Sequence, residues 1–333
     1  MPEIDPIPDT QQPVSKKSRF SGPSAPGLFA LALTSSFLFL PLIGELAIFI
    51  LPAPVAFQRS RYGTGPASFT SAICVALVAG AAGVSGITLS VAGLCLVGLV
   101  VGDSMQKGEP FDVAVFKGAI GPVIICALLA GAYFLIKGQD PWALLYSGMD
   151  KSVTQAVDIY RRMGISQADI DNMLPTMRLV TRVVRDYLPA IVVCGAAMTS
   201  FVNAILTARY ARRVGVSGWP SKPPSAWTVP DHVVWGVVAS GFLMLPDITE
   251  LRLVSGNFLA VFAVVYFFQG MAVIETLFDR LKLGRVFRVV SYVVALTQPY
   301  IVAMLAVLGL ADMWADFRKI RPAGQKPGKD VPG

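Results

Sequence analysis

Ser85 stands in Gly83-Val84-Ser85-Gly86, a glycine-flanked serine that an intramembrane serine protease could use as its nucleophile. A serine hydroxyl needs a neighbouring base to take its proton, and the chain has one histidine, His232, set in Pro230-Asp231-His232. Four glycine-rich residues fit a helix-hairpin turn better than a catalytic centre, so the protease is the remote reading. A single histidine cannot make an HExxH zinc site, and neither a Walker A sequence nor a GxGxxG after a strand occurs. Cys74, Cys95, Cys126 and Cys194 lie inside apolar runs without CxxC spacing, the usage of small packing residues. The expectation is a protein that is not an enzyme, with no catalytic residue, no metal and no cofactor.

The other chemistry on offer is polar groups inside apolar segments. A charge at the centre of a membrane helix costs roughly 2.5 to 3.5 kcal/mol on insertion scales, so each such group needs a reason. Asp103, Asp247, Glu250, Glu275 and Asp312 fall near expected span ends, whereas Asn257, Gln269 and Gln298 lie deeper. An amide can bind a ligand without carrying charge, which makes those three the better candidates for ligand binding, with Asn203 and Glu45 beside them. Interfacial solvation and helix-to-helix hydrogen bonding are the bland alternatives. Small residues at four-residue spacing, Ala30/Thr34, Ala32/Ser36 and Gly98/Gly102, permit close helix approach, within the protein or against a partner.

These side chains must be positioned by membrane helices. Of 333 residues 54% are hydrophobic and 15% charged, and the mean hydropathy is +0.61. Lipid is therefore the expected solvent, and continuous apolar runs without period-two alternation exclude a β-barrel. The reading is all-α: a polytopic transmembrane bundle of eight or nine spans. Runs occur at 28–51, at 67–102 as two helices broken at Gly83 to Gly86, and at 113–136, 188–208, 233–245, 253–274 and 289–310. The first contains Pro41, Gly44 and Glu45, and is either one kinked span or the start of a tight hairpin.

The implied organisation is a disordered tail over 1–27, an amino-terminal bundle over 28–137, an amphipathic helical insert over 138–187, a carboxyl-terminal bundle over 188–314 and a basic flexible tail over 315–333. Within the insert, Val153, Ala156, Val157 and Tyr160 make an apolar stripe, Ser166 with Asp169 resembles a capping box, and Arg178, Arg182 and Arg185 share one face. The formal charge of +7 comes from residues flanking the apolar runs, the placement of topology determinants rather than of a nucleic-acid surface. Basic loops at Arg59/Arg61, Arg209 to Lys222 and Arg280 to Arg288 share one side, expected to be cytoplasmic. Alternation of spans puts the insert and the carboxyl-terminal tail on the other side, although both carry basic residues.

A set of residues carries a family resemblance: Trp227, Thr228, Val229 and Pro230 followed by Trp235, then Asn257, Tyr266, Gln269-Gly270, Gly309, Asp312 and Asp316-Phe317-Arg318, with Pro52-Ala53-Pro54, Arg61 and Gly63 earlier. The chain resembles the YybS-like family of uncharacterised bacterial integral membrane proteins. That family is distantly similar in architecture to the substrate-binding subunits of energy-coupling-factor vitamin transporters. The resemblance implies a multi-pass protein of the bacterial cytoplasmic membrane and would make Ala30 to Ser36 a coupling face. The leading functional expectation is a component that binds a small solute or assists its passage. The alternative is a scaffold or regulatory protein acting through the insert, on a membrane protein partner or a second copy.

Overall fold

The computed structural model describes residues 24–40, 48–83, 86–138, 140–215 and 227–319. All regular structure among them is α-helical: α1 (Ala25–Phe39), α2 (Pro52–Tyr62), α3 (Thr64–Ala82), α4 (Gly86–Gln106), α5 (Phe111–Lys137), α6 (Pro141–Arg162), α7 (Gln167–Asp186), α8 (Leu188–Arg213), α9 (Val233–Leu243), α10 (Thr249–Arg280), α11 (Arg285–Thr297) and α12 (Pro299–Ala315). Helices α3, α4, α5, α8 and α10 are long and apolar enough to cross a membrane. At about 1.5 Å per residue even the shortest of them rises about 28 Å, against a hydrocarbon core of roughly 30 Å.

The ends of the bundle can be told apart by contacts. Arg59, near the end of α2, binds Asp103 and Gln106 at the end of α4, and Phe57 meets Tyr210 of α8 edge to face at 4.7 Å. Arg209 of α8 shares a cavity wall with Glu275 of α10 and Arg285 of α11. The carboxyl ends of α2, α4, α8 and α10 therefore lie together, and this is the basic end.

Two apolar runs that look like spans are hairpins instead. Gln58 of α2 donates to Ser24, just ahead of α1, at 2.8 Å, so α1 starts and α2 finishes at the basic end. This makes α1 and α2 the two arms of a hairpin; residues 41–47, including Glu45, lie outside the described residues. The second hairpin is α11 with α12, whose axes diverge by 103°. Pro299 has no N–H and pushes Gln298 into extended geometry (φ −107°, ψ 110°), which ends α11. Arg280 at the end of α10 donates to the Phe317 and Arg318 carbonyls, each at 3.1 Å, so α12 also finishes at the basic end.

Among the described residues five helices can each cross alone, against the eight or nine spans expected, while α1 with α2 and α11 with α12 return to the end from which they start. Helix α9 lies between α8, which finishes at the basic end, and α10, which begins at the other. With 11 residues, or about 16 Å of helix, α9 completes the crossing together with the non-helical residues 227–232. This path also places residues 316–319 at the basic end, against the expectation that the chain after the run 289–310 lies opposite the basic loops, because that run turns back on itself. The insert does lie at the far end, between the end of α5 and the start of α8. Its basic Lys151, Arg161, Arg162, Arg178, Arg182 and Arg185 are matched by Asp140, Asp150, Asp158, Asp169, Asp171 and Asp186, so it carries no net charge.

Helix α6 is capped by Asp140, which accepts from Trp142 N–H at 2.9 Å. Helix α7 is capped by Ser166, which accepts from Asp169 N–H at 3.2 Å and donates to its carboxylate at 2.6 Å. Gly164 (φ +82°) makes the turn between the two helices. Arg185 joins them by pairing with Asp150 at 3.1 Å and sitting over the Tyr146 ring.

Close helix crossings rest on glycine. A Cβ at Gly102 would collide with the Ala56 carbonyl and Arg59 of α2, and one at Gly98 with the Pro52 carbonyl and Val55. A Cβ at Gly309 or Gly270 would strike the backbone of the facing helix, α10 or α12. Without these hydrogens-for-methyls the hairpins could not seat against the long helices.

Candidate functional site: an arginine-lined vestibule over an apolar cleft

The deep amides are each committed to a break in the backbone. Asn203 of α8 accepts from Ala53 N–H at 3.0 Å and donates to the Phe49 carbonyl at 2.9 Å, while Thr207 donates to the Ala53 carbonyl. It thereby ties down the start of α2, whose leading N–H and C=O groups would otherwise be buried without partners. Asn257 of α10 accepts from Ala190 N–H at 3.0 Å and donates to the Asp186 carbonyl at 2.9 Å, bridging the junction of α7 and α8. Gln269 accepts from Val229 N–H at 3.0 Å and donates to Asp312 at 3.2 Å. No two of the three share a partner, and Gln298 is exposed at the bend before α12. The structure therefore distributes these residues over separate joints rather than around one cavity.

The small residues are packing residues within the chain. Ala30 and Thr34 are fully buried, and Thr34 donates to the Ala30 carbonyl; Ser36 is half-buried and Ala32 exposed. Gly98 and Gly102 face α2. His232 is exposed at the start of α9, and Ser85 lies outside the described residues.

A different set of side chains does converge, on α8, α10 and α11. On α8 the positions Met198, Phe201, Val202, Ile205, Leu206 and Arg209 recur at three- and four-residue steps and form one face. Continuing the same steps gives Arg212 and Arg213. On α10 the matching face is Phe268, Met271, Ala272 and Glu275. Between them lies an apolar cleft of about 180 Å³, floored by the Phe201 and Phe268 rings stacked at 4.1 Å.

At the basic end the cleft meets a vestibule of about 660 Å³ lined by Arg209, Arg212, Arg213, Arg285, Arg288, Glu275 and Tyr292. Arg209, Glu275 and Tyr292 belong to both spaces and form the seam. A volume of this order suits a small molecule.

Helix α11 roofs the vestibule because its sequence is amphipathic. Arg285, Arg288, Val289 and Tyr292 face the vestibule, while Val286, Phe287, Val290 and Val293 are exposed on the outer side. An exposed apolar face on a helix beside membrane spans suits contact with acyl chains. Arg288 is occupied: it pairs with Asp279 and donates to the Leu283 and Phe278 carbonyls. Arg209, Arg212, Arg213 and Arg285 form no ion pair among the described residues, and neither does Glu275. The vestibule thus holds five guanidinium groups against one lining carboxylate, with four guanidinium forks unpaired.

The opposite flank of α10 holds a buried latch. Arg318 donates to Asp312 through Nε at 3.0 Å and Nη2 at 2.7 Å, and through Nη1 to the Trp227 carbonyl at 2.6 Å. Gln269 joins Asp312 to Val229, and Gly270 and Gly309 let α10 and α12 touch beneath them. Residues scattered over 227–318 in the sequence therefore form one joint, which fixes the end of α12 and residues 227–229 against α10.

Sequence reasoning read Arg209, Arg212 and Arg213 as topology determinants and Glu275 as one polar residue among several. The signal that groups them is their register: they extend the faces that Met198 to Leu206 and Phe268 to Ala272 already define.

No solved structure matches this chain. Among curated proteins it is similar to the uncharacterized protein YybS of Bacillus subtilis (strain 168), with 22% identity over 300 residues, covering 87% of this chain and 94% of that protein. The family model described as "predicted membrane protein (DUF2232)" matches residues 28–313, from α1 to the latch. The chain therefore belongs to the DUF2232 family of predicted membrane proteins.

Proposed function

We propose that this protein is a non-enzymatic, multi-pass component of the bacterial cytoplasmic membrane that binds a small anionic solute in the vestibule. The observation that carries this reading is the convergence of Arg209, Arg212, Arg213 and Arg285, without carboxylate partners among the described residues, on one cavity. Guanidinium groups present planar forks that match phosphate and carboxylate oxygens, and leaving four of them unpaired beside a membrane favours an anion. The positive-inside rule supports a cytoplasmic basic end, with the neutral insert outside.

The test is calorimetric titration of the protein in phosphatidylcholine nanodiscs with inorganic pyrophosphate. Wild type is expected to bind with an affinity that falls as salt rises, and the Arg209→Gln/Arg212→Gln/Arg213→Gln variant to bind at least about tenfold more weakly. Equal binding by the two proteins refutes the site.

A second reading, a scaffold acting through the insert, is favoured by one observation. The α6–α7 hairpin carries a groove of Met149, Val153, Met173, Met177, Val180 and Val184 at the end of the bundle away from the vestibule. Methionine-rich apolar grooves suit adaptable protein contacts. Deleting 140–186 is expected to abolish co-purification of a partner under this reading and to leave pyrophosphate binding intact under the first.

A further inference from the structure

We infer that the anion is the head of an amphiphile: a phosphate- or pyrophosphate-bearing lipid whose hydrocarbon chain lies in the cleft between α8 and α10. The inference rests on the anion-binding reading and deepens it. A site for a free anion needs only the vestibule, whereas here the arginine-lined space adjoins, across the shared residues Arg209, Glu275 and Tyr292, a second space walled by Met198, Phe201, Ile205, Leu206, Phe268 and Met271. The boundary between polar and apolar lining falls at one level on both helices. Leu206 gives way to Arg209 on α8 and Ala272 to Glu275 on α10, each after a single step of three residues.

An acyl or prenyl chain already resides in hydrocarbon, so the cleft adds little hydrophobic driving force. What it supplies is continuity: the head reaches the guanidinium forks while its chain stays in apolar surroundings, without being drawn through polar protein. Helix α11 reinforces the geometry, since its exposed valines suit contact with acyl chains while Arg285 and Arg288 line the vestibule. Glu275 at the seam opposes the anion.

Two sources share this chemistry, a lipid headgroup and a soluble phosphate, and the experiment separates them. The protein is reconstituted in phosphatidylcholine nanodiscs doped with phosphatidic acid, released, and its retained lipids are counted by native mass spectrometry; soluble glycerol 3-phosphate, with the same head, is titrated in parallel. Wild type is expected to retain phosphatidic acid at least about tenfold above its share of the bilayer. The triple arginine variant should lose that enrichment and also bind glycerol 3-phosphate more weakly, by a factor on the order of 100 if each arginine acts as a surface cation does.

Met271→Trp, which fills the cleft, should lose the enrichment and keep glycerol 3-phosphate binding; Leu206→Trp serves the same purpose if that variant does not fold. Glu275→Gln should bind both ligands about threefold tighter, the effect of removing one like charge some 6 Å away in a watery vestibule. If glycerol 3-phosphate binds but phosphatidic acid is not enriched, or if filling the cleft changes nothing, the lipid inference is overturned and the anion site stands. If neither ligand binds, the anion site falls with it.

Discussion

Replacing Arg318 by Met tests whether the latch holds the carboxyl-terminal hairpin in place. The Arg318 and Asp312 side chains are 1% and 3% exposed. Three donors reach one oxygen of Asp312: Nε and Nη2 of Arg318 and the amide of Gln269. Methionine fills a similar volume but removes two of the three and leaves the Trp227 carbonyl without its 2.6 Å partner. A buried carboxylate stripped of its cation typically destabilises by about 3–5 kcal/mol. Replacing both charges, Asp312→Leu with Arg318→Met, removes the uncompensated charge and leaves only the Gln269 amide and the Trp227 carbonyl short of a bond, at about 1–3 kcal/mol each. The double variant is therefore expected to unfold at least about 2 kcal/mol less readily than the two single effects sum to. Unfolding in mixed micelles by sodium dodecyl sulfate, followed by helical circular dichroism, measures the cycle. Additive single effects, or an Arg318→Met protein within about 0.5 kcal/mol of wild type, would falsify the reasoning, because either result means the pair is not buried and coupled.

The same assay applies to Asn203→Leu. It takes the acceptor from Ala53 N–H and the donor from the Phe49 carbonyl, and is expected to destabilise by about 1–3 kcal/mol for each group left bare; unchanged stability would mean that α2 does not start inside the bundle. Orientation is checked with single cysteines in a background where Cys74, Cys95, Cys126 and Cys194 are replaced. Asp158→Cys in the insert should react in intact cells with a membrane-impermeant maleimide, while Arg61→Cys and Lys319→Cys should react only after lysis. Protection of Asp158→Cys with labelling of Arg61→Cys would invert the proposed topology.

The bodies of the long helices were legible because a continuous apolar run has few solutions in lipid: α3, α4, α5, α8 and α10 coincide with runs read directly from hydropathy. Direction was not legible. An apolar run of 22 or 24 residues reads as a crossing whether it continues or doubles back, and both α1 with α2 and α11 with α12 return to the end from which they start. Prolines at 52, 54 and 299 marked the breaks, but a proline marks a break without saying how far the chain then turns. For the amides, depth was legible and role was not, since Asn203 and Ala53 are 150 residues apart and only the fold brings them together. The arginines failed for a different reason. Charge beside a span has a sufficient explanation in topology, so their register with the apolar face of α8 went unread.

That difference separates two kinds of polar group in a membrane fold. Every departure from straight helix in hydrocarbon bares N–H and C=O groups that lipid cannot satisfy, and a side-chain amide, with one acceptor and a donor pair, is the smallest uncharged group able to serve both. The start of α2, the α7–α8 junction and residues 227–229 each receive one, from Asn203, Asn257 and Gln269. Arg209, Arg212, Arg213 and Arg285 stand in the opposite position. They close no helix end and form no ion pair among the described residues, yet two helices and an amphipathic third hold them around one space. Satisfied polar groups explain how a broken helical bundle survives in lipid, and unsatisfied ones held in place are what remains to bind. On that argument depth of burial is the wrong index of function in this bundle; the informative quantity is unused hydrogen-bonding capacity at a fixed position, which is greatest at the mouth of the cleft.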